Sequence, residues 1–114
     1  MAKRRNLNEY RVELTRVKRG ERAVPLDYPE NLGLRTKLGG KPDWIQSDET
    51  PDCEECGEPM HFVAQIDSVE HRSQHNRLMD DPPKHVDFMF GDVGMIYVFY
   101  CFDCLQVTSL QQCY

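Results

Sequence analysis

The sequence predicts a mostly β domain: antiparallel hairpins clipped by a four-cysteine zinc site with zinc-ribbon-like turns, and little helix. Three observations carry this reading. Apolar and polar residues alternate in several short runs, the period of a half-buried strand. No stretch sustains the 3.6-residue periodicity of an amphipathic helix. Two pairs, Cys53-Glu-Glu-Cys56 and Cys101-Phe-Asp-Cys104, stand far apart in a chain of 114 residues. A chain this short builds a thin core, which a metal clip would support.

Residues 1–8 read as a disordered basic tail carrying Lys3, Arg4 and Arg5, and residues 9–114 as a single β-rich domain. Glu9 to Val17 is expected as a strand, because Tyr10, Val12 and Leu14 alternate with Arg11, Glu13 and Thr15. The basic stretch around Gly20 is expected to turn. Ala23 to Asp43 is rich in Pro and Gly and reads as a packed loop. Its most distinctive part is Gly39-Gly40-Lys41-Pro42-Asp43-Trp44, where the glycines allow a sharp bend, Pro42 keeps Lys41 extended, and Trp44 is placed to lid the core.

Met60 to Asp67 is expected as a strand with Met60, Phe62, Ala64 and Ile66 on one face and His61, Val63, Gln65 and Asp67 on the other. Ser68 to Lys84 reads as a long loop ending in Asp80-Asp81-Pro82-Pro83. His85 to Phe90 is expected as a strand, and Gly91-Asp92-Val93-Gly94 as its hairpin turn. Met95 to Phe102 is apolar on both faces, which predicts a central strand covered on both sides. Leu105 to Leu110 reads as the last strand.

The two cysteine pairs point to one tetrahedral site formed by Cys53, Cys56, Cys101 and Cys104. Two intervening residues let both sulfurs of a tight turn face one ion, and a closed set of four thiolates leaves no open position for chemistry, so the expected zinc is structural. A rubredoxin-like iron site uses the same ligand geometry and is the alternative. Cys53 and Cys56 are also followed by His71 and His75 at a spacing that approaches a C2H2 finger. That reading leaves the second pair unexplained, and residues 67–75 lack the apolar pattern of a finger helix. His61 lies close to the first knuckle and reads as a neighbour of the site or as exposed. Cys113 has no spacing partner and reads as a partly buried C-terminal residue.

The formal net charge of −5 hides a split. Residues 1–41 carry +6 and residues 42–114 carry −11. Nucleic acid is therefore disfavoured as a partner of the cysteine-bearing half and would meet only the basic N-terminal arm. No run approaches the roughly 20 apolar residues of a membrane span, and no apolar export segment follows the basic start, so a reducing, cytoplasmic setting is expected. Signatures of nucleotide binding, nucleophile elbows and metalloprotease helices are absent, which predicts a protein that is not an enzyme.

The segments Thr36-Lys-Leu-Gly-Gly-Lys-Pro-Asp-Trp44, Cys53-Glu-Glu-Cys56, Pro59-Met-His-Phe-Val-Ala-Gln-Ile-Asp67, Gly91-Asp-Val-Gly-Met-Ile-Tyr-Val-Phe99 and Cys101-Phe-Asp-Cys104 follow one another in order. In this the chain resembles the bacterial YwqG-like domain of unknown function and, more distantly, the N-terminal part of eukaryotic programmed-cell-death-2-like proteins. The resemblance covers residues 36–104. It implies a β-rich domain without established catalytic residues, acting as a chaperone of a ribosomal protein, as in the eukaryotic group, or as an immunity protein against a toxin, as in the bacterial one. The expected role is thus a zinc-stabilised protein-interaction domain for a basic protein partner, with Asp80, Asp81, Trp44, Gly39 and Gly40 as its contact residues. A small zinc-ribbon nucleic-acid binder using the basic arm is the alternative.

Overall fold

The structure, a computed structural model, describes residues 9–68, 90 and 93–114. They form one four-stranded antiparallel sheet in which spatial order follows sequence order. Strand β1 is Lys37–Leu38, β2 is His61–Asp67, β3 is Met95–Cys101 and β4 is Gln106–Gln112. No helix occurs among the described residues. The mostly β expectation holds; β2 and β3 fall where alternation and apolar content placed them, and β4 runs two residues past the expected end at Leu110.

Strand β3 is the spine. It pairs with β2 from Tyr100 opposite His61 to Met95 opposite Asp67, and with β4 along its whole length. Its Met95, Tyr97, Phe99 and Cys101 are buried, whereas Ile96, Val98 and Tyr100 are half-buried. The expectation of two equally covered faces is thus corrected. One face carries the core, formed by Cys53, Met60, Met95, Tyr97, Phe99 and Cys101, with Trp44, Ile45, Phe62, Cys104 and Leu110 packed against it.

The faces of β2 are also corrected. The register shifts between Phe62 and Ala64, so Val63 is a bulge. One extra residue flips everything that follows to the opposite face. Phe62 therefore shares the core face with Gln65 and Asp67, while Ala64 and Ile66 turn to the other side opposite Val98 and Ile96. Gln65 and Asp67, expected on the face opposite Phe62, have no solvent exposure. The bulge is tied down, since the Val63 carbonyl accepts from the Gly39 amide at 2.7 Å.

The core face is covered by irregular chain rather than by a second sheet. Gly39 and Gly40 both take positive φ, 70° and 75°, and reverse the chain as it leaves β1. Residues 43–49 then cross the sheet. Trp44 lies 4.7 Å from the Tyr97 ring and stacks on Phe99 at 5.9 Å, centroid to centroid. The crossing segment is held by side chains that rise from three strands. Gln65 accepts from the Asp43 amide at 2.9 Å. The Tyr97 hydroxyl donates to the Asp43 carbonyl at 2.7 Å and accepts from the Ile45 amide at 3.1 Å. Gln112 accepts from the Gln46 amide at 2.9 Å and donates to the Ser47 carbonyl and the Glu49 carboxylate, both at 2.6 Å.

At the Met95 end of the sheet, Arg35 and Asp67 form a buried ion pair, 2% and 0% exposed. Arg35 Nε and Nη2 reach the two carboxylate oxygens at 2.7 and 2.6 Å, the planar fork that guanidinium offers. The backbone amides of Arg35 and Ser68 complete the carboxylate at 3.0 and 2.7 Å, filling its lone-pair sites. Arg35 also donates to the Tyr114 hydroxyl and the Val93 carbonyl. Burial works to lower the Arg35 pKa, but Asp67 outweighs it and the pKa is raised.

The expected strand over Glu9 to Val17 does not form. The segment makes no ladder, and Val12 and Leu14 are 75% and 72% exposed. Alternation marks a chain able to be a strand, but a strand needs a neighbour, and the sheet does not supply one here. The turn at Gly20 does form, with the Glu21 amide bonded to the Lys18 carbonyl at 3.0 Å. The expected tail 1–8, residues 69–84 of the long loop, residues 85–89 of the strand after it and residues 91–92 of the hairpin turn lie outside the described residues.

Candidate metal centre

The two knuckles are built alike. In each, the amide of the residue after the second cysteine donates to the carbonyl of the first: Gly57 to Cys53 and Leu105 to Cys101, both at 2.8 Å. That residue has positive φ in both, 76° at Gly57 and 58° at Leu105. The first knuckle is closed further by the Cys53 amide on the Glu58 carbonyl at 2.8 Å and by the bridge between Asp52 and Pro59. It leads straight into β2, while the second joins β3 to β4. Pairing of β2 with β3 sets the knuckles side by side, because His61 and Tyr100 lie opposite each other.

All four cysteine sulfurs lie within 4.8 Å of one another. Cys53 and Cys101 are buried core members, Cys104 is half-buried and Cys56 is exposed. None forms a disulfide. The spacing fits a tetrahedral ion: zinc–sulfur bonds of about 2.3 Å place neighbouring sulfurs about 3.8 Å apart. Cys56 and Cys101 sulfurs are separated by 3.8 Å. The donor set is therefore able to hold a metal ion through Cys53, Cys56, Cys101 and Cys104.

The thiols are unequal. The Cys56 amide, followed by that of Glu55, stabilises the Cys53 thiolate and brings its pKa down to about 7 against the opposing burial. Burial and the neighbouring sulfurs push Cys104 up to about 12. The Glu58 amide works to lower Cys56, yet burial and the adjacent thiols leave it raised. One knuckle thus readily supplies a thiolate, and gathering three more beside it calls for a cation.

The surroundings are acidic. Asp52, Glu54, Glu55, Glu58 and Asp103 are all exposed around the knuckles. Beyond Lys41 the described residues contain no Lys or Arg. His61 is exposed and meets Phe102 edge-on at 5.5 Å, and Phe102 in turn meets Tyr100 at 4.9 Å. Phe102, Leu105 and Val107 are each more than 60% exposed, so an apolar strip runs beside the acidic knuckles.

Of the contact residues expected from sequence, Trp44 is engaged in packing and Gly39 and Gly40 form the bend that delivers it. Asp80, Asp81, His71 and His75 lie outside the described residues. Cys113 is half-buried, as expected. Sequence reasoning did not single out Arg35, Gln112 or the inward Gln65 and Asp67. The signal available was a pair of polar residues, Gln65 and Asp67, in an otherwise apolar strand.

Fold and site together define a small antiparallel β domain organised on a four-cysteine cluster. Comparisons with protein-family models, curated proteins and solved structures gave no match for this chain. No helix among the described residues is long and apolar enough to cross a membrane.

Proposed function

We propose that this chain is a non-enzymatic, zinc-stabilised protein-interaction domain that binds a basic protein in the cytoplasm. The observation that carries the reading is the four-sulfur cluster set among exposed carboxylates, in a part of the chain where the described residues beyond Lys41 include no Lys or Arg. Zinc is the ion favoured by four soft thiolates in a closed tetrahedron without redox demand. The acidic knuckle surface favours a cationic partner, whose approach it would speed. The order of the Gly-Gly-Lys-Pro-Asp-Trp segment, the knuckles and β2 supports kinship with the YwqG-like and programmed-cell-death-2-like groups, and an immunity or chaperone role follows from that kinship.

The test has two parts. Elemental analysis of the purified chain should give one zinc per molecule. Cys53→Ser and Cys104→Ser should each lose the metal and unfold, because binding energy here is folding energy. Iron in the site would move the assignment to a rubredoxin-like centre. Affinity capture with the metal-loaded chain should then recover proteins of high isoelectric point that elute with salt. Nuclease-sensitive capture of RNA or DNA would instead establish the basic arm as the binding element.

A further inference from the structure

Among the described residues the sheet ends on an edge that nothing pairs with. Strand β4 pairs with β3 on one side, and among the described residues no backbone hydrogen bond reaches its other side. Its sequence, Gln-Val-Thr-Ser-Leu-Gln-Gln, contains no charge and no proline, and its pairing with β3 is free of register shifts. Natural sheets usually blunt such an edge with lysine, proline or a bulge. The opposite edge is different, being covered by the two-residue β1 and interrupted by the bulge at Val63.

The chain also carries a strand without a sheet. Residues 11–17, as long as β4 itself, alternate from Arg11 to Thr15 as a half-buried strand does, lie exposed, and make no backbone hydrogen bonds among the described residues. The arm joins the body at Val24, which is buried. Its end nearest the body is basic, with Arg16, Lys18 and Arg19, and all three are exposed.

We propose that residues 11–17 of one copy add as an antiparallel fifth strand to the outer edge of β4 in a second copy, so that two chains exchange arms in a symmetric dimer. Direction follows from charge. Antiparallel addition brings the basic end of the arm to the start of β4, where Glu55 approaches Gln106 at 3.5 Å and Asp103 occupies the preceding turn. The same direction, aligned end to end, lays Val12 and Leu14 on the face that carries Val107, whose side chain is 66% exposed. The arm gains a ladder for its backbone, and the edge loses its open row of donors and acceptors. This inference is independent of which metal the cysteines hold.

Sedimentation equilibrium on the metal-loaded full chain tests it. The expected result is a concentration-dependent dimer. Val12→Pro with Leu14→Pro removes donors and strand geometry from an exposed segment outside the sheet, and should abolish the dimer while leaving metal content and the urea midpoint of the monomer unchanged. Val107→Lys with Ser109→Lys protects the edge and should abolish it too. Amides of β4 should exchange faster in both variants than in the parent. A parent that stays monomeric overturns the proposal. So does a dimer that survives the arm prolines, or one lost with the arm but indifferent to the edge lysines, since the arm would then dock elsewhere.

Discussion

Asp67→Asn removes one charge from a pair that has no solvent to fall back on. Asp67 has no exposure and Arg35 has 2%, so a lone guanidinium would remain in the interior. The loss is wider than charge. Each carboxylate oxygen accepts two hydrogen bonds, one set from Arg35 N and Nε and the other from Arg35 Nη2 and Ser68 N. Whichever oxygen becomes an amide then sets its own N–H groups against two donors. Removing one partner of a buried pair costs about 3–5 kcal/mol, a large share of the roughly 5–15 kcal/mol that holds a domain together. Arg35→Met and Asp67→Leu should each cost a similar amount. Arg35→Met combined with Asp67→Leu removes both charges and should cost clearly less than the two single losses added, leaving a coupling of about 2–3 kcal/mol. It should not regain full stability, because the amides of Arg35 and Ser68 lose their acceptor. Urea unfolding with metal in excess measures this, and Trp44, the only tryptophan, reports through its contact with Tyr97. A single substitution costing less than about 1 kcal/mol, or strict additivity, would refute a pair that acts as a buried unit.

Gly57 and Leu105 occupy equivalent positions and should respond in opposite directions. A Cβ at Gly57 meets nothing within 4 Å, so Gly57→Ala should cost about 1 kcal/mol from backbone conformation alone. Leu105→Gly relieves the same strain at a 69% exposed side chain and should stabilise by up to about 1 kcal/mol, as read by the urea midpoint. Tyr97 supplies a pH dependence. Burial pushes its pKa up to about 12, above the ordinary value of 10.0, so its neutral form is the one the fold favours. Its contribution is complete below pH 10.0 and is lost as pH rises towards about 12. Parent stability should fall by about 2–3 kcal/mol across that window. Tyr97→Phe should lack that decline, and at neutral pH it should already be weaker, because the Asp43 carbonyl and Ile45 amide lose their partner. An identical alkaline decline in both proteins would remove Tyr97 from the account.

Local chemistry was legible in the sequence. A Cys-x-x-Cys turn carries its geometry within a few residues, so the four sulfurs could be assigned to one cluster before the sheet was known. Strands β2, β3 and β4 announced themselves by aromatic and β-branched content. What escaped was information spread over distance. A bulge adds one residue without a compositional mark, yet Val63 inverts the faces of everything up to Asp67. Arg35 and Asp67 are each unremarkable charged residues until the sheet brings them together. The strand expected over Glu9 to Val17 failed for a related reason: its pattern states a capacity to pair, and pairing depends on an edge that lies elsewhere. Trp44 was legible as a lid, but the polar side chains that hold its segment were not.

Those polar side chains follow from the kind of cover this sheet has. A helix or second sheet brings its own backbone hydrogen bonds to an interface. An irregular segment does not, and each amide or carbonyl it presses against the core needs a partner. Residues 43–49 make that demand along the whole width of the sheet. It is met from below by Gln65 on β2, Tyr97 on β3 and Gln112 on β4, one side chain from each of these three strands. Gln65 completes its own set by donating to the Arg35 carbonyl at 2.7 Å, which links the strap to the ion pair. Among the described residues the one buried side-chain N or O atom left without a partner is Asn31 Oδ1. The apolar core is consequently short. It runs along β3 from Met95, beside the Arg35–Asp67 pair, to Cys101 in the cysteine cluster. A hydrophobic core so limited is closed at one end by paired charges and at the other by four sulfurs, and each closure supplies order that apolar burial alone would not provide in a chain of this size.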